Sequence, residues 1–216
     1  MSDHSNVLSG AHFEYIAART RKDDPFLEQL KATAREQGIP AIWVAPEQAA
    51  FMRILLRAAK VRDVVEVGTL AGYSAIQMAR ALPDGGRVQT IELEPKHVAF
   101  AREWIAKSDV ADKVTVLEGR AADVLATLPA NSADAAFIDA DKTNYPTYLE
   151  HALRIVRTGG LVLVDNAFAF GQVLERQPRD REAPAIQRFN EVMAGEKRLE
   201  SVIVPLGDGV WVGVKT

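Results

Sequence analysis

The chain has 216 residues, 48% of them hydrophobic and 25% charged, with a formal net charge of −3 and no cysteine. That length suits one globular domain with a sizeable core, and a chain without thiols has no disulfide scaffold, cysteine-held zinc, iron–sulfur cluster or thiol nucleophile. The small acidic surplus argues against a dedicated nucleic-acid binder, no apolar run approaches the ~18 residues of a membrane helix, and the first 22 residues lack the basic-then-apolar order of a secretory signal, so a soluble cytoplasmic protein is expected.

Residues 1–60 read as helical. Asp24-Pro25 predicts a cap and first turn, and Gly38-Ile39-Pro40 stops that helix. Pro46 starts another, on which Phe51, Ile54, Leu55 and Ala58 fall at the spacing of one buried face. From residue 61 the period changes. Val61–Val67, Arg87–Leu93, Lys113–Leu117, Ala133–Ile138 and Leu161–Val164 are short runs rich in β-branched residues. Helical stretches separate them: Ala75, Met78, Ala79 and Leu82 share one face, as do Tyr145, Tyr148, Leu149 and Ala152. Alternating strand and helix implies βαβ crossovers, hence an α/β fold whose parallel sheet carries helices on both faces. After Asn166 come a charged stretch, Glu175–Glu182, and a helical segment near Ala185–Met193. Ser201–Pro205 and Val210–Val214 then flank Leu206-Gly207-Asp208-Gly209, a hairpin signal that adds an antiparallel pair at one edge. A single domain over 1–216 is expected, with a helical segment at 1–60 and the βαβ core and hairpin at 61–216.

Ligands of open parallel sheets bind beyond the carboxyl ends of the strands. The first strand ends Glu66-Val67-Gly68-Thr69-Leu70-Ala71-Gly72-Tyr73-Ser74. A dinucleotide fingerprint would need glycine at 66. A carboxylate there opposes a pyrophosphate but suits a ligand whose near end is cationic. S-adenosylmethionine has an ammonium, a sulfonium and no phosphate. Gly68 and Gly72 would let the backbone approach it, and Ser74 would bond its carboxylate. Glu92 ends the second strand, where a ribose diol is usually held. Gly119-Arg120-Ala121-Ala122-Asp123 offers small residues against an adenine edge. The plainer alternative is that Glu66 and Glu92 are solvated strand-end carboxylates.

The fourth strand runs into Asp139-Ala140-Asp141-Lys142, and the fifth into Asp165-Asn166. Adjacent strands would place Asp139, Asp165 and Asn166 on one edge. Two carboxylates and an amide suit a hard cation, Mg²⁺, Mn²⁺ or Ca²⁺, rather than zinc; alternatively, the two aspartates cap the turns that follow. Lys142 is either a solvated charge or, beside a cation, a base. His4, His12, His97 and His151 show no metal-ligand spacing and receive no role. Trp104 is expected in the core, while Trp43 and Trp211 could serve either core or site. Arg176, Arg179 and Arg181 are expected to be solvated, in a loop that could cover the site.

These motifs resemble the cation-dependent O-methyltransferases, which include the catechol, caffeoyl-coenzyme A and small bacterial enzymes. The resemblance runs from about residue 40 to the C-terminus. It is carried by Val65-Glu66-Val67-Gly68-Thr69 with Gly72-Tyr73-Ser74, and by Phe137-Ile138-Asp139-Ala140-Asp141-Lys142 with Tyr145 and Tyr148. Gly159 to Asn166 and Pro205-Leu206-Gly207-Asp208-Gly209 complete it. The resemblance implies a Rossmann-like seven-stranded methyltransferase fold and assigns roles residue by residue. Glu66 would hold the methionine moiety of S-adenosylmethionine, with Gly68 and Thr69 beside it and Ser74 on its carboxylate. Glu92 would take the ribose, Leu93 and Ala121 the adenine, and Val44 would touch the cofactor from the preceding segment. Asp141 would contact cofactor or substrate. Asp139, Asp165 and Asn166 would be the metal ligands and Lys142 the base.

The chain departs from relatives that carry a tryptophan and an asparagine after the Asp-Asn pair, having Ala167-Phe168-Ala169-Phe170-Gly171, and from those with glycine where it has Ala49. The expected reaction is Mg²⁺-dependent methylation of one hydroxyl of a catechol-type phenol. Rival readings are a tRNA hydroxyuridine methyltransferase, a nicotinamide oxidoreductase and a non-catalytic nucleoside-binding module. A homodimer, with contacts from the first 40 residues, is also implied.

Overall fold

The computed structural model describes residues 9–216. Three helices come first: α1 (Gly10–Arg19), α2 (Pro25–Glu36) and α3 (Pro46–Ala58). Asp24 caps α2 as its sequence suggests, Oδ1 accepting from the Leu27 amide at 3.0 Å with Pro25 in the first turn. On α3 the expected face is wrong. Ile54 is 64% exposed and Ala58 is exposed, while the buried residues are Gln48, Ala49, Met52 and Leu56, with Phe51 and Leu55 half-buried beside them. The inward face packs Ala49, Met52 and Leu56 into the core and carries the polar Gln48 to a buried acid; apolar periodicity alone does not register such a residue.

The alternation that follows is β1 (Asp63–Val67), α4 (Tyr73–Ala79), β2 (Arg87–Glu92), α5 (Pro95–Ala106), β3 (Val114–Glu118), α6 (Ala121–Thr127), β4 (Ala133–Ile138), α7 (Tyr145–Ile155) and β5 (Val156–Val164). Then come α8 (Ala183–Gly195), β6 (Leu199–Val204) and β7 (Val210–Lys215). β5 starts five residues before the expected Leu161 because Val156 follows α7 directly and pairs with Ala133.

The seven strands form one sheet, β3-β2-β1-β4-β5-β7-β6, parallel from β3 through β5 and antiparallel at the β5–β7 and β7–β6 pairs. Alternation along β1 sends Val64 to a core shared with Leu30, Met52 and Ile76, and Val65 and Val67 to a core shared with Leu125, Leu149 and Phe189. Both faces are therefore covered, which is why the inner strands are almost wholly apolar. Glu66 has the parity of Val64. The chain leaves β1 toward β2 on one side and returns to β4 on the other, and at this reversal the loops after β1 and β4 diverge to leave a crevice. Among the described residues no helix is long and apolar enough to cross a membrane.

Candidate active site

A cavity of about 1050 Å³ opens at that crevice. Gly68, Thr69 and Leu70 after β1, Glu92 and Leu93 after β2, Ala121 at the start of α6, Asp139 to Lys142 after β4, and Asn166 after β5 all line it. Trp43 and Val44, just before α3, form another wall, and Ser74 lines it from the first turn of α4. Of the residues expected at a site, Glu66, Gly72 and Asp165 do not reach its surface; the two acids are buried beneath it.

The β1/β2 end is shaped by backbone. Gly68 has φ +100°, and a side chain there would strike the Asp139 carbonyl oxygen across the crevice, so only glycine lets the two loops meet. The Glu92 carboxylate accepts from the Leu70 amide at 2.8 Å and from the Leu93 and Glu94 amides at 2.9 Å each, which fixes it facing the cavity. Thr69 and Thr90 share a hydroxyl hydrogen bond of 2.6 Å behind it.

Glu66 is different. It is fully buried and neither carboxyl oxygen has a hydrogen-bond partner. Burial pushes its pKa up to about 8; the nearby Ser74 and Thr90 hydroxyls oppose the rise, and the Asp139 and Glu92 charges add to it. A buried acid with no well-formed hydrogen bond, beside a cavity, fits a ligand group that brings positive charge.

At the β4/β5 end a 3₁₀ turn, Lys142–Asn144, folds Lys142 back over the strand end, where it is 6% exposed. Its Nζ donates to Asp139 Oδ1 at 2.9 Å and to the buried Tyr145 hydroxyl at 2.7 Å. Asp165 Oδ1 accepts from Gln48 Nε2 at 2.7 Å. Burial, then the negative charge of Asp139, raises the Asp165 pKa to about 7. Asn166 has φ +63°, a conformation asparagine tolerates better than most residues, and donates its amide to Asp208 at 3.2 Å, which leaves its carbonyl oxygen for the cavity. Asp141 accepts from Tyr148 and Asn144, each at 2.5 Å. Among the described residues no three His, Cys, Asp or Glu side chains converge as a metal cluster. The donor set is two carboxylates and an amide oxygen, and a buried acid disfavoured by its neighbour's charge fits a hard cation between the two.

Several contributors lie outside the expected set. Gln48 holds Asp165, and its only sequence signal is a polar residue inside an apolar helix. Tyr145, expected on the shared face of its helix and as part of the family motif but given no role, accepts from Lys142. His97, given no role, lines the cavity near Glu92, at 3.8 Å. The loop after β5 does reach the site, but through Phe170, Asp180 and Glu182; Arg176, Arg179 and Arg181 are exposed and line nothing. His12 caps α1 through Ser9, and His4 lies outside the described residues. Trp104 is core, as expected, Trp43 faces the cavity, and Trp211 is core with its indole nitrogen on Asn190 at 2.7 Å.

Residues 17–216 match the O-methyltransferase family model. The chain belongs to the O-methyltransferase family. It is 38% identical over 197 residues to a catechol O-methyltransferase of Niastella koreensis, covering 90% of this chain and 86% of that protein. It is 37% identical over 192 residues to a catechol O-methyltransferase of Mycobacterium tuberculosis, covering 88% and 87%. The crystal structure of the O-methyltransferase from Bacillus cereus in complex with SAH superposes with a TM-score of 0.84 at 34% identity, covering 95% of this chain and 97% of that one. Membership of this family removes the oxidoreductase and the non-catalytic binding module from the possible functions. The seven-stranded sheet with its antiparallel edge is the methyltransferase arrangement.

Proposed function

We propose that this S-adenosylmethionine-dependent O-methyltransferase acts with a divalent cation on one hydroxyl of a vicinal dihydroxy aromatic. The observation that carries the reading is the meeting, in one cavity, of the Asp139–Lys142 pair and Asn166 with the amide-fixed Glu92, while the unpartnered Glu66 and the Gln48-held Asp165 lie beneath it. The names of the catechol O-methyltransferase relatives support it. S-adenosylmethionine supplies an electrophilic methyl on a sulfonium, and a divalent cation supplies a Lewis acid that makes a hydroxyl more acidic and fixes its direction.

This chain's own residues do the rest. Glu92 accepts from the ribose hydroxyls, Leu93 and Ala121 flank the adenine, and Thr69 and Val44 pack against the cofactor. Glu66 answers the positive charge of the methionine end and Ser74 bonds its carboxylate. Asp141, held by Tyr148 and Asn144, stands between cofactor and substrate. Asp139, Asp165 and Asn166 would hold the cation, with Gln48 and Asp208 orienting the last two as outer partners. Lys142, placed by the Asp139 carboxylate and the Tyr145 hydroxyl, would first give its ammonium proton to solvent, and the neutral amine would then accept the proton of the attacking hydroxyl. The rest of the rate gain comes from holding the two reactants in line.

Methylation of catechol by labelled cofactor, followed with and without EDTA, tests the reading. Turnover should disappear with chelator and return with Mg²⁺, and Asp165→Ala should abolish the return. Undiminished turnover in EDTA would remove the cation from the reaction.

A further inference from the structure

Under this catechol reading, the part of the cavity beyond the cofactor end has a charge pattern that the methyl transfer does not require. Asp141, Asp180 and Glu182 all line it. Asp141 is neutralised by nothing: its partners are a phenol and an amide. Asp180 and Glu182 are both half-buried. They are held in place rather than waving in solvent. Glu182 Oε1 accepts the Lys142 backbone amide at 3.3 Å, Asp180 Oδ1 accepts the Glu182 amide at 2.8 Å, and Gln172 ties down the Arg179 and Asp180 amides at 2.6 and 3.2 Å. The Glu182 charge is felt in the site, where, after burial, it joins Asp139 and Asp165 in holding the Tyr145 hydroxyl well above its usual pKa.

The cations nearby do not balance these acids. Lys142 is paired with Asp139; with a divalent ion on Asp139, Asp165 and Asn166, the two carboxylates would match that ion and Lys142, as the base, would be the neutral amine. Arg120 and His97 line the cavity beside Ala121 and Glu92, at the nucleoside end, and the three arginines of the 176–181 loop are exposed and do not line it. Three acids remain on the lining, and Glu182 sits on the Lys142 amide, so a ring placed at the Lys142 end would present its substituent to them. Trp43, Tyr148 and Phe170 line the same cavity and offer aromatic surface for the ring.

We propose that Asp180 and Glu182 are specificity-determining residues that select catechols bearing a cationic side arm and reject those bearing a carboxylate or phosphate. Desolvated or half-desolvated like charges cost affinity, and opposite ones add it, so substrates differing only in the charge of one substituent should be ranked by it. The same field opposes polyanionic acceptors, which sets this pocket against a nucleic-acid substrate.

The test uses the full chain with Mg²⁺ and S-adenosylmethionine and three matched probes: 4-(aminomethyl)catechol, 4-methylcatechol and 3,4-dihydroxyphenylacetate. At pH 7 the order of kcat/KM should be amine, then methyl, then carboxylate. Asp180→Asn and Glu182→Gln keep the acceptor oxygens that hold the loop, and each should shrink the amine-to-carboxylate ratio by roughly fivefold, the scale of one charge several ångströms away in partly solvated surroundings. In the unaltered protein the ratio should also fall as salt is raised, a readout that survives if a variant does not fold. A ratio unchanged by both substitutions and by salt, or a preference for the carboxylate, overturns the proposal. If none of the three probes is methylated, the catechol reading fails on its own. Calorimetric dissociation constants of the same probes then decide the charge preference, their order either repeating or contradicting it.

Discussion

The two ends of the cavity treat their acids in opposite ways. At the β4/β5 end each carboxylate has a protein partner: Lys142 for Asp139, Gln48 for Asp165, Tyr148 and Asn144 for Asp141. At the β1/β2 end Glu92 is saturated by three backbone amides, yet Glu66, one strand away and more deeply buried, has no partner at all. The difference separates two strategies. One end is pre-organised by the chain, each of its acids already held by a protein donor before anything binds. The other stores an unsatisfied acid whose compensation must come from outside, so ligand binding and stability are coupled there.

The largest effect should come from disturbing the organised end. Lys142→Ala is expected to lower kcat about 10²- to 10⁴-fold, the usual range for a lost general base, while the dissociation constant for S-adenosylmethionine stays within about twofold. Single-turnover kinetics and calorimetry separate the two; equal, small losses in both would reduce Lys142 to a surface charge and erase the contrast.

Glu66→Gln probes the other end and should move two quantities in opposite directions. Cofactor affinity should fall, by about tenfold if one charge-assisted contact is lost, while the ligand-free protein becomes more stable. The sign follows from linkage. The folded-state pKa, about 8, lies above the ordinary 4.5, so between those values the folded chain keeps a proton that the unfolded chain releases. Stability contributed by that proton is therefore lost as pH rises through the window. Thermal midpoints of the ligand-free protein at pH 5.5 and 8.5 should show the decline, and Glu66→Gln should flatten it. A variant with unchanged pH dependence would show that Glu66 is not the unsatisfied group.

The smallest effect is expected from Tyr148→Phe, which removes one hydrogen bond to Asp141 and no packing volume. A loss of about 1 kcal/mol, or roughly 2–4 °C in the thermal midpoint, is the scale for one such bond in a chain of this size. Its consequence for turnover should remain well below that of Lys142→Ala.

Much of this was legible before any coordinates. The change of hydrophobic period at residue 61, the apolar runs and the hairpin turn predict the sheet, because a strand buried on both faces cannot hide its composition. The strand-end residues Glu66, Gly68, Glu92, Asp139 and Asn166 could be placed because a parallel sheet gathers its carboxyl ends at one edge. The inward face of α3 was not legible. Its apolar spacing points to Ile54 and Ala58, while the position chosen by packing is Gln48, whose partner lies 117 residues away.

What the sequence by itself determined is the order of strands and helices and the kinds of atom brought to the sheet edge: oxygen donors, glycines and one lysine, with no sulfur among them. These are local facts, set by periodicity and residue chemistry. The tertiary structure decided which of those atoms are satisfied. The hairpin turn shows how. Gly207, at φ +57°, leaves room for Gln48, and Asp208 reaches across to Asn166 and to the Phe170 and Gly171 amides at 2.8 and 3.1 Å. A turn at the far end of the chain thereby supports the site and the start of the loop that leads to Asp180 and Glu182. Such contacts join residues far apart in sequence, and they exist only once the sheet has closed the distance between them.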